Sequence, residues 1–261
     1  MVEPNNIYLG DAYELIKQVK DKSVDLIVTD PPYDIEGIHG SGILKSRPAN
    51  QQTYNEISDS KLDKGIDLKI LDDFVRVMKK INIYIWCNKQ QIYDYMTYFV
   101  KERNCSFEIL IWAKENPIPF CGTHYLCDKE YCLYFWEQGA PVSIPYERAR
   151  TYWISKTNQD DKKDYGHPTI KPIELIETLI KNSTQISQAE QSEVQRERER
   201  ERVVVLDPFL GSGTTALAAK HLGLNYIGFE INEKYYKIAV DRLKGINQKG
   251  EMNLFDMDWD D

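Results

Sequence analysis

Asp30-Pro31-Pro32-Tyr33 follows directly on the apolar run Leu26-Ile-Val-Thr29. That order brings a carboxylate, two rigid prolines and an aromatic ring to the mouth of a buried strand. The exocyclic amine of adenine or cytosine is a poor nucleophile, because its lone pair is delocalised into the ring. The Asp30 carboxylate and the Pro31 carbonyl can each accept a hydrogen bond from such an amine. Both bonds draw the nitrogen towards sp3 geometry and free the lone pair for attack. The prolines fix the backbone so that the carbonyl aims inward, and Tyr33 offers a face on which a base can stack. A base inside a duplex has to be flipped out to reach such a turn.

A second strand-to-turn junction lies far downstream, in Val203-Val-Val-Leu-Asp-Pro-Phe-Leu-Gly-Ser-Gly-Thr-Thr215. Gly211 and Gly213 permit a tight turn and a close backbone approach to a ligand. The strand after it ends at Glu230, about 20 residues on, where a carboxylate can bond a ribose diol. Gly211-Ser-Gly-Thr-Thr-Ala216 also satisfies G-x-G-x-x-A, so this segment alone leaves a nicotinamide dinucleotide open. Only the pairing of both junctions, one for an amine and one for a nucleotide cofactor, favours group transfer over hydride transfer.

These turns need a scaffold, and the chain supplies one. Short apolar runs at Ile7–Leu9, Leu26–Thr29, Ile83–Cys87, Phe107–Trp112, Tyr131–Trp136, Val203–Leu206 and Tyr226–Phe229 predict strands. Amphipathic patterns at Ala12–Lys20, Leu68–Lys80, Lys89–Glu102, Ile173–Lys181, Thr214–Leu222 and Glu233–Lys244 predict helices between most of them. Such alternation implies one α/β domain over residues 1–261, with a doubly wound, mostly parallel, seven-stranded sheet covered on both faces. No helical pattern separates Phe107–Trp112 from Tyr131–Trp136, so an antiparallel pair is expected at one edge.

Composition narrows the class without choosing the function. Apolar residues at 42% and charged residues at 28% fit an ordinary globular protein. No apolar run approaches the roughly 20 residues of a membrane span. The start lacks the basic and apolar regions of a signal peptide, so no membrane association and a cytoplasmic location are expected. Cys87, Cys105, Cys121, Cys127 and Cys132 are an odd set, which favours reduced thiols. Cys121, His124, Cys127 and Cys132 lack a paired metal-ligand spacing, and no metal is expected.

A net charge of −8 opposes a broad grip on nucleic acid, so any footprint must be local. Basic and aromatic residues interleave in Tyr146-Glu-Arg-Ala-Arg-Thr-Tyr-Trp153. Arg148, Arg150 and Lys156 are candidate DNA contacts there, as are Lys45 and Arg47 in the long segment after the first turn. That segment, 34–60, reads as a mobile loop; 113–166 is a candidate target-recognition region, and 251–261 is an acidic tail.

The stretch 183–202 is a charged insertion ending in Gln195-Arg-Glu-Arg-Glu-Arg-Glu-Arg202. As protein chemistry it is a solvated segment. A repeated AG dinucleotide would encode the same alternation, and slippage in such a tract would remove everything from Val203 onward. Arginines written with CGN codons, or a tract of fixed length across isolates, would dismiss that switch.

Taken in order, the motifs resemble the amino-methylating DNA methyltransferases that use S-adenosylmethionine, in the arrangement of their β class. Asp30, Pro31, Pro32 and Tyr33 match the catalytic motif, and Asp207, Phe209, Gly211, Ser212, Gly213 and Thr214 the cofactor loop. Glu230 and Asn232 follow the next strand, and Asp11 closes the first. In His167-Pro-Thr-Ile-Lys-Pro172, Thr169 and Lys171 match residues expected beside the methionine end of the cofactor. The insertion at 183–202 departs from the family pattern, where this connection is usually short. The resemblance implies the Rossmann-like methyltransferase fold and transfer to an amino group of a flipped base in double-stranded DNA. Asp30 resembles the N6-adenine enzymes, whereas N4-cytosine enzymes more often carry Ser. The chain particularly resembles phase-variable adenine methyltransferases of bacterial restriction–modification systems. A cognate restriction endonuclease or companion methyltransferase, and a homodimer, would follow.

Overall fold

The structure is a computed structural model describing residues 1–33, 65–117, 125–157, 170–184 and 202–246. Lys45, Arg47, Cys121, His124 and Thr169, the 34–60 segment, most of the 183–202 insertion and the 251–261 tail lie outside these residues.

Among the described residues, eight strands form one sheet: β1 (Asn6–Leu9), β2 (Leu26–Thr29), β3 (Asn82–Cys87), β4 (Ser106–Lys114), β5 (Lys129–Trp136), β6 (Tyr152–Ser155), β7 (Val204–Asp207) and β8 (Asn225–Glu230). Their spatial order is β1-β8-β7-β2-β3-β5-β4-β6. Seven of them run one way, and β5 alone is antiparallel to both neighbours, β3 and β4. Among the described residues no helix separates β4 from β5, which fits a short return of the chain and the antiparallel pairing it allows.

The sequence reading of seven strands thus gains an eighth. β6 pairs parallel to β4 and takes the outer position, so the antiparallel pair sits one strand in from the edge. The short apolar run of β6, Tyr152-Trp-Ile154, lies where basic and aromatic residues interleave, which masks it as a strand. Tyr152 and Ile154 are exposed, and Ser155 accepts a hydrogen bond from Trp112 Nε1 at 2.9 Å.

The side-chain alternation of β2 divides the core into two layers. Ile27 faces one layer with Ile83, Ile85 and Leu206. There it meets α1 (Ala12–Leu15, continued by a 3-10 turn, Ile16–Gln18), α2 (Ile70–Val77) and α3 (Ile92–Met96, continued by a π turn, Thr97–Lys101). In α2 the buried residues Ile70, Leu71, Phe74 and Val77 form the apolar stripe that fits an amphipathic helix. Leu26 and Val28 face the other layer, against α4 (Ile173–Ser183) and α5 (Thr214–His221). A last helix, α6 (Glu233–Leu243), packs beside β1, β8 and α5. Among the described residues no helix is long and apolar enough to cross a membrane.

Candidate active site

β2 and β7 are neighbours, with Leu26 opposite Val205 and Ile27 opposite Leu206. From this pair the chain winds outward in opposite directions, to β3 on one side and to β8 on the other. A doubly wound sheet opens a crevice at the carboxyl ends of such a switch point. Here a cavity of about 440 Å³ occupies it, lined by Asp30, Pro31, Pro32 and Tyr33 after β2 and by Asp207 to Ser212 after β7.

Thr29 ties the two junctions together, donating from Oγ1 to Asp207 Oδ1 at 2.8 Å. The same oxygen accepts the Phe209 N–H at 3.1 Å, which starts the turn. Burial raises the Asp207 carboxyl to about 7, against the lowering effect of these bonds and of Thr215. Gly213 stands at the head of α5 with φ +85°, a left-handed conformation that glycine adopts without strain. A Cβ there would lie 2.9 Å from that of Ala239 in α6. Also from α6, the buried Arg242 donates through Nη1 to Ser212 O at 2.9 Å, Ser212 Oγ at 3.1 Å and Thr214 Oγ1 at 2.9 Å. The loop is therefore held from behind by a helix.

Glu230 closes β8. Its Oε2 accepts the Gly211 N–H at 2.8 Å and its Oε1 the Asn232 N–H at 2.7 Å; burial raises its pKa. Asp11 caps α1 by accepting the Tyr13 N–H at 2.9 Å. Both carboxylates line the cavity beside Phe209, Tyr13 and Ile231. Two acids among apolar walls, with a glycine loop between them, suit a nucleoside whose ring is buried and whose hydroxyls are bonded.

At the catalytic end, Lys171 Nζ pairs with Asp30 Oδ2 and lies 3.0 Å from Glu130 Oε2. Lys114 meets Glu130 Oε1 at 2.5 Å. Asp30 Oδ1 is buried and has no hydrogen-bond partner among the described residues. Pro32 O accepts a bond from Gln91 Nε2 at 3.3 Å. Burial would raise the Glu130 carboxyl, but Lys171 and Lys114 outweigh it and bring it down to about 2. Burial opposes the charge on Lys171, yet Asp30 and Glu130 push its pKa well up. Tyr33 is pushed far up by burial first and by Asp30 and Glu130 next, so its phenol stays neutral.

The cavity gathers Asp11, Lys171, Asp207, Phe209, Gly211, Ser212, Thr214 and Glu230 with the Asp30–Tyr33 turn. Two expected cofactor residues, Gly213 and Asn232, are not in this lining. Gly213 packs against α6, and Asn232 caps that helix by accepting the Lys234 N–H at 2.9 Å. The candidate DNA contacts fall away from the cavity: Arg150 and Lys156 are exposed, and Arg148 Nε donates to Asn182 at 2.9 Å. Sequence reading missed Tyr13, Ile66, Trp86 and Glu130 in the lining. Of these, only Glu130 left a signal, a lone acid opening the apolar run of β5.

Comparisons with known proteins bear on the family and the fold. The chain is 29% identical to the Type II methyltransferase M.HinfI of Haemophilus influenzae, over 93% of this chain and 69% of that one. A crystal structure of an M1.HpyAVI complex with SAM superposes with a TM-score of 0.61 at 26% identity, covering 91% of this chain and 98% of the other. The PvuII cytosine-N4-specific DNA methyltransferase superposes at 0.64 with 17% identity, over 93% and 87% of the two chains, and shares the fold. Residues 24–241 match the N6/N4 methyltransferase family, described as DNA methylase, and the chain belongs to that family.

Proposed function

We propose that the chain is a site-specific DNA methyltransferase acting on the N6 amino group of a flipped adenine. The observation that carries this is the division of labour within Asp30. Its Oδ2 is held by Lys171, while Oδ1 is buried without a partner in the cavity wall shared with the glycine loop. An orphaned buried acceptor of this kind is costly unless a ligand satisfies it, and an amino N–H would do so.

S-adenosylmethionine supplies an electrophilic methyl group on a positively charged sulfur. Asp11 and Glu230, with Phe209 and the 211–214 loop, are placed to hold it. Asp30 Oδ1 and the Pro31 carbonyl accept the two amino hydrogens, and Tyr33 stacks on the base. The nitrogen lone pair forms the new N–C bond as the C–S bond breaks and its electron pair stays on sulfur. The nitrogen then releases its extra proton to water. Positioning and electrostatics carry such a transfer without a covalent enzyme intermediate.

Adenine is favoured over cytosine N4 by Asp rather than Ser at position 30. The likeness to the cytosine-N4-specific enzyme extends to the fold alone and does not alter that. Double-stranded DNA is the substrate in this reading. The Type II methyltransferase relatives support a role in a restriction–modification system, and a partner nuclease or companion methyltransferase is part of the proposal. A cytoplasmic homodimer completes it. The 113–166 region is the candidate for target recognition; it exposes Tyr125, Tyr146, Tyr152 and Ile154.

Single-molecule sequencing of DNA from cells expressing the chain tests the reading. N6-methyladenine in one recurrent sequence context is expected. N4-methylcytosine would move the assignment to the other base, and unmodified DNA would reject it.

A further inference from the structure

Glu130 has no role in the reaction as written, yet it is a carboxylate with little exposure in the cavity wall, second in β5 between Lys129 and the apolar run Tyr131–Trp136. A buried charge is costly unless it is paired and hydrogen-bonded. Two lysines pair this one by charge, Lys114 from β4 and Lys171 from the segment preceding α4; the Lys171 contact to Oε2 is an ion pair at 3.0 Å without an aligned hydrogen bond. Lys171 is itself buried and lies 4.9 Å over the Trp86 ring. Its remaining partner is Asp30 Oδ2. The charges therefore alternate in a row, Lys114–Glu130–Lys171–Asp30, from the end of β4 to the catalytic turn.

Such a row fixes geometry. An ammonium with one carboxylate partner can swing around it and take either oxygen. Glu130 pulls Lys171 from the other side, so one oxygen of Asp30 is engaged and the other is left over. We propose that Lys171 and Glu130 are positioning residues for methyl transfer: Glu130 holds Lys171, and Lys171 holds Asp30 Oδ2, so that Oδ1 alone meets the target amine. This inference rests on the reading of Asp30 as the acceptor for that amine. It differs from the family-based expectation that Lys171 flanks the methionine end of the cofactor.

The surroundings make the lysine indispensable. Groups placed to sense the charge of Asp30 include Tyr33 on its own turn, Cys87 in β3, Tyr95 in α3, Cys132 in β5 and Asp207 in β7, besides Lys171. Glu130 stands beyond Lys171. Among these described residues Lys171 is the one cation. Without it, Asp30 loses its ion-pair partner while Glu130 keeps Lys114, and two neighbouring, partly buried carboxylates with less compensating charge retain a proton to higher pH.

The test is single-turnover transfer of labelled methyl from S-adenosylmethionine to unmethylated genomic duplex DNA across a range of pH. Wild type, Lys171→Met, Glu130→Gln and the double variant are compared, with cofactor affinity measured by calorimetry and folding by thermal unfolding. Lys171→Met is expected to slow transfer by about 100-fold or more at neutral pH, with cofactor affinity within about threefold of wild type. Its acid limb should move up by about one pH unit or more, and the double variant should bring that limb back down. Glu130→Gln should slow transfer about tenfold with no upward shift of the limb.

An unmoved acid limb in Lys171→Met, or a loss of cofactor affinity large enough to explain its rate, overturns the proposal. Should Lys171→Met fail to fold, the nearly isosteric Glu130→Gln decides: slowed transfer with intact cofactor binding supports the pair, and wild-type transfer overturns it. Absence of transfer by wild type removes the underlying reading, and the proposal with it. Normal transfer by wild type and both variants overturns the pair alone.

Discussion

Thr29 at the end of β2 donates a 2.8 Å hydrogen bond to the buried carboxylate of Asp207 at the end of β7, across 178 positions of sequence. Each residue adjoins one of the two motifs, so the distance between the catalytic turn and the glycine loop is set by neighbouring strands and locked by this bond.

That bond carries a pH signature. Asp207 titrates near 7 in the fold, chiefly through burial, against an ordinary value of 3.8. A carboxyl whose folded pKa is raised contributes stability that is complete below about 4 and is lost as pH rises through about 7. Asp207→Asn keeps an oxygen to accept from Thr29 and cannot ionise. Thermal melts should show the wild type losing stability between roughly pH 4 and pH 8, with a flatter profile in the variant. Equal slopes in the two proteins would contradict this reading of Asp207.

Gly213→Val suggests itself from the sequence as a block to cofactor binding, but the added Cβ would strike Ala239 in α6. Strain at positive φ and that clash should together destabilise the apo-protein by about 2 kcal/mol or more. A lowered Tm without cofactor is the expected result for Gly213→Ala. An unchanged Tm with lost S-adenosylmethionine binding would instead make Gly213 a cofactor contact.

Arg242→Met removes the donors that hold Ser212 and Thr214. Cofactor affinity should fall about tenfold or more in calorimetry, because the loop must then be ordered on binding. The catalytic turn is untouched, so transfer at saturating cofactor should stay within a few-fold of wild type. A kcat collapse with normal affinity would run against this role.

Sequence patterns recovered most of the scaffold because buried strands are compact apolar runs and helices such as α2 carry an apolar stripe. β6 escaped because its short run Tyr152-Trp-Ile154 is embedded among basic and aromatic residues and belongs to an edge strand with Tyr152 and Ile154 facing outward. The two turns were legible because rare residue combinations mark them. Position in sequence says nothing, however, about which side chains converge. Lys171 follows a Thr169 matched to the cofactor region, yet its ammonium reaches Asp30 and Glu130. Asn232 sits two residues beyond Glu230 and turns to cap α6. Convergence of that kind is a property of packing, which periodicity does not encode.

Labelled methyl transfer to duplex DNA by wild type and Asp30→Ala, with S-adenosylmethionine binding to both followed by calorimetry, addresses the catalytic turn itself. N6-methyladenine formed by wild type, and a rate lowered by about 1000-fold or more in Asp30→Ala with cofactor still bound, is the predicted result. Transfer at the wild-type rate by Asp30→Ala would contradict it.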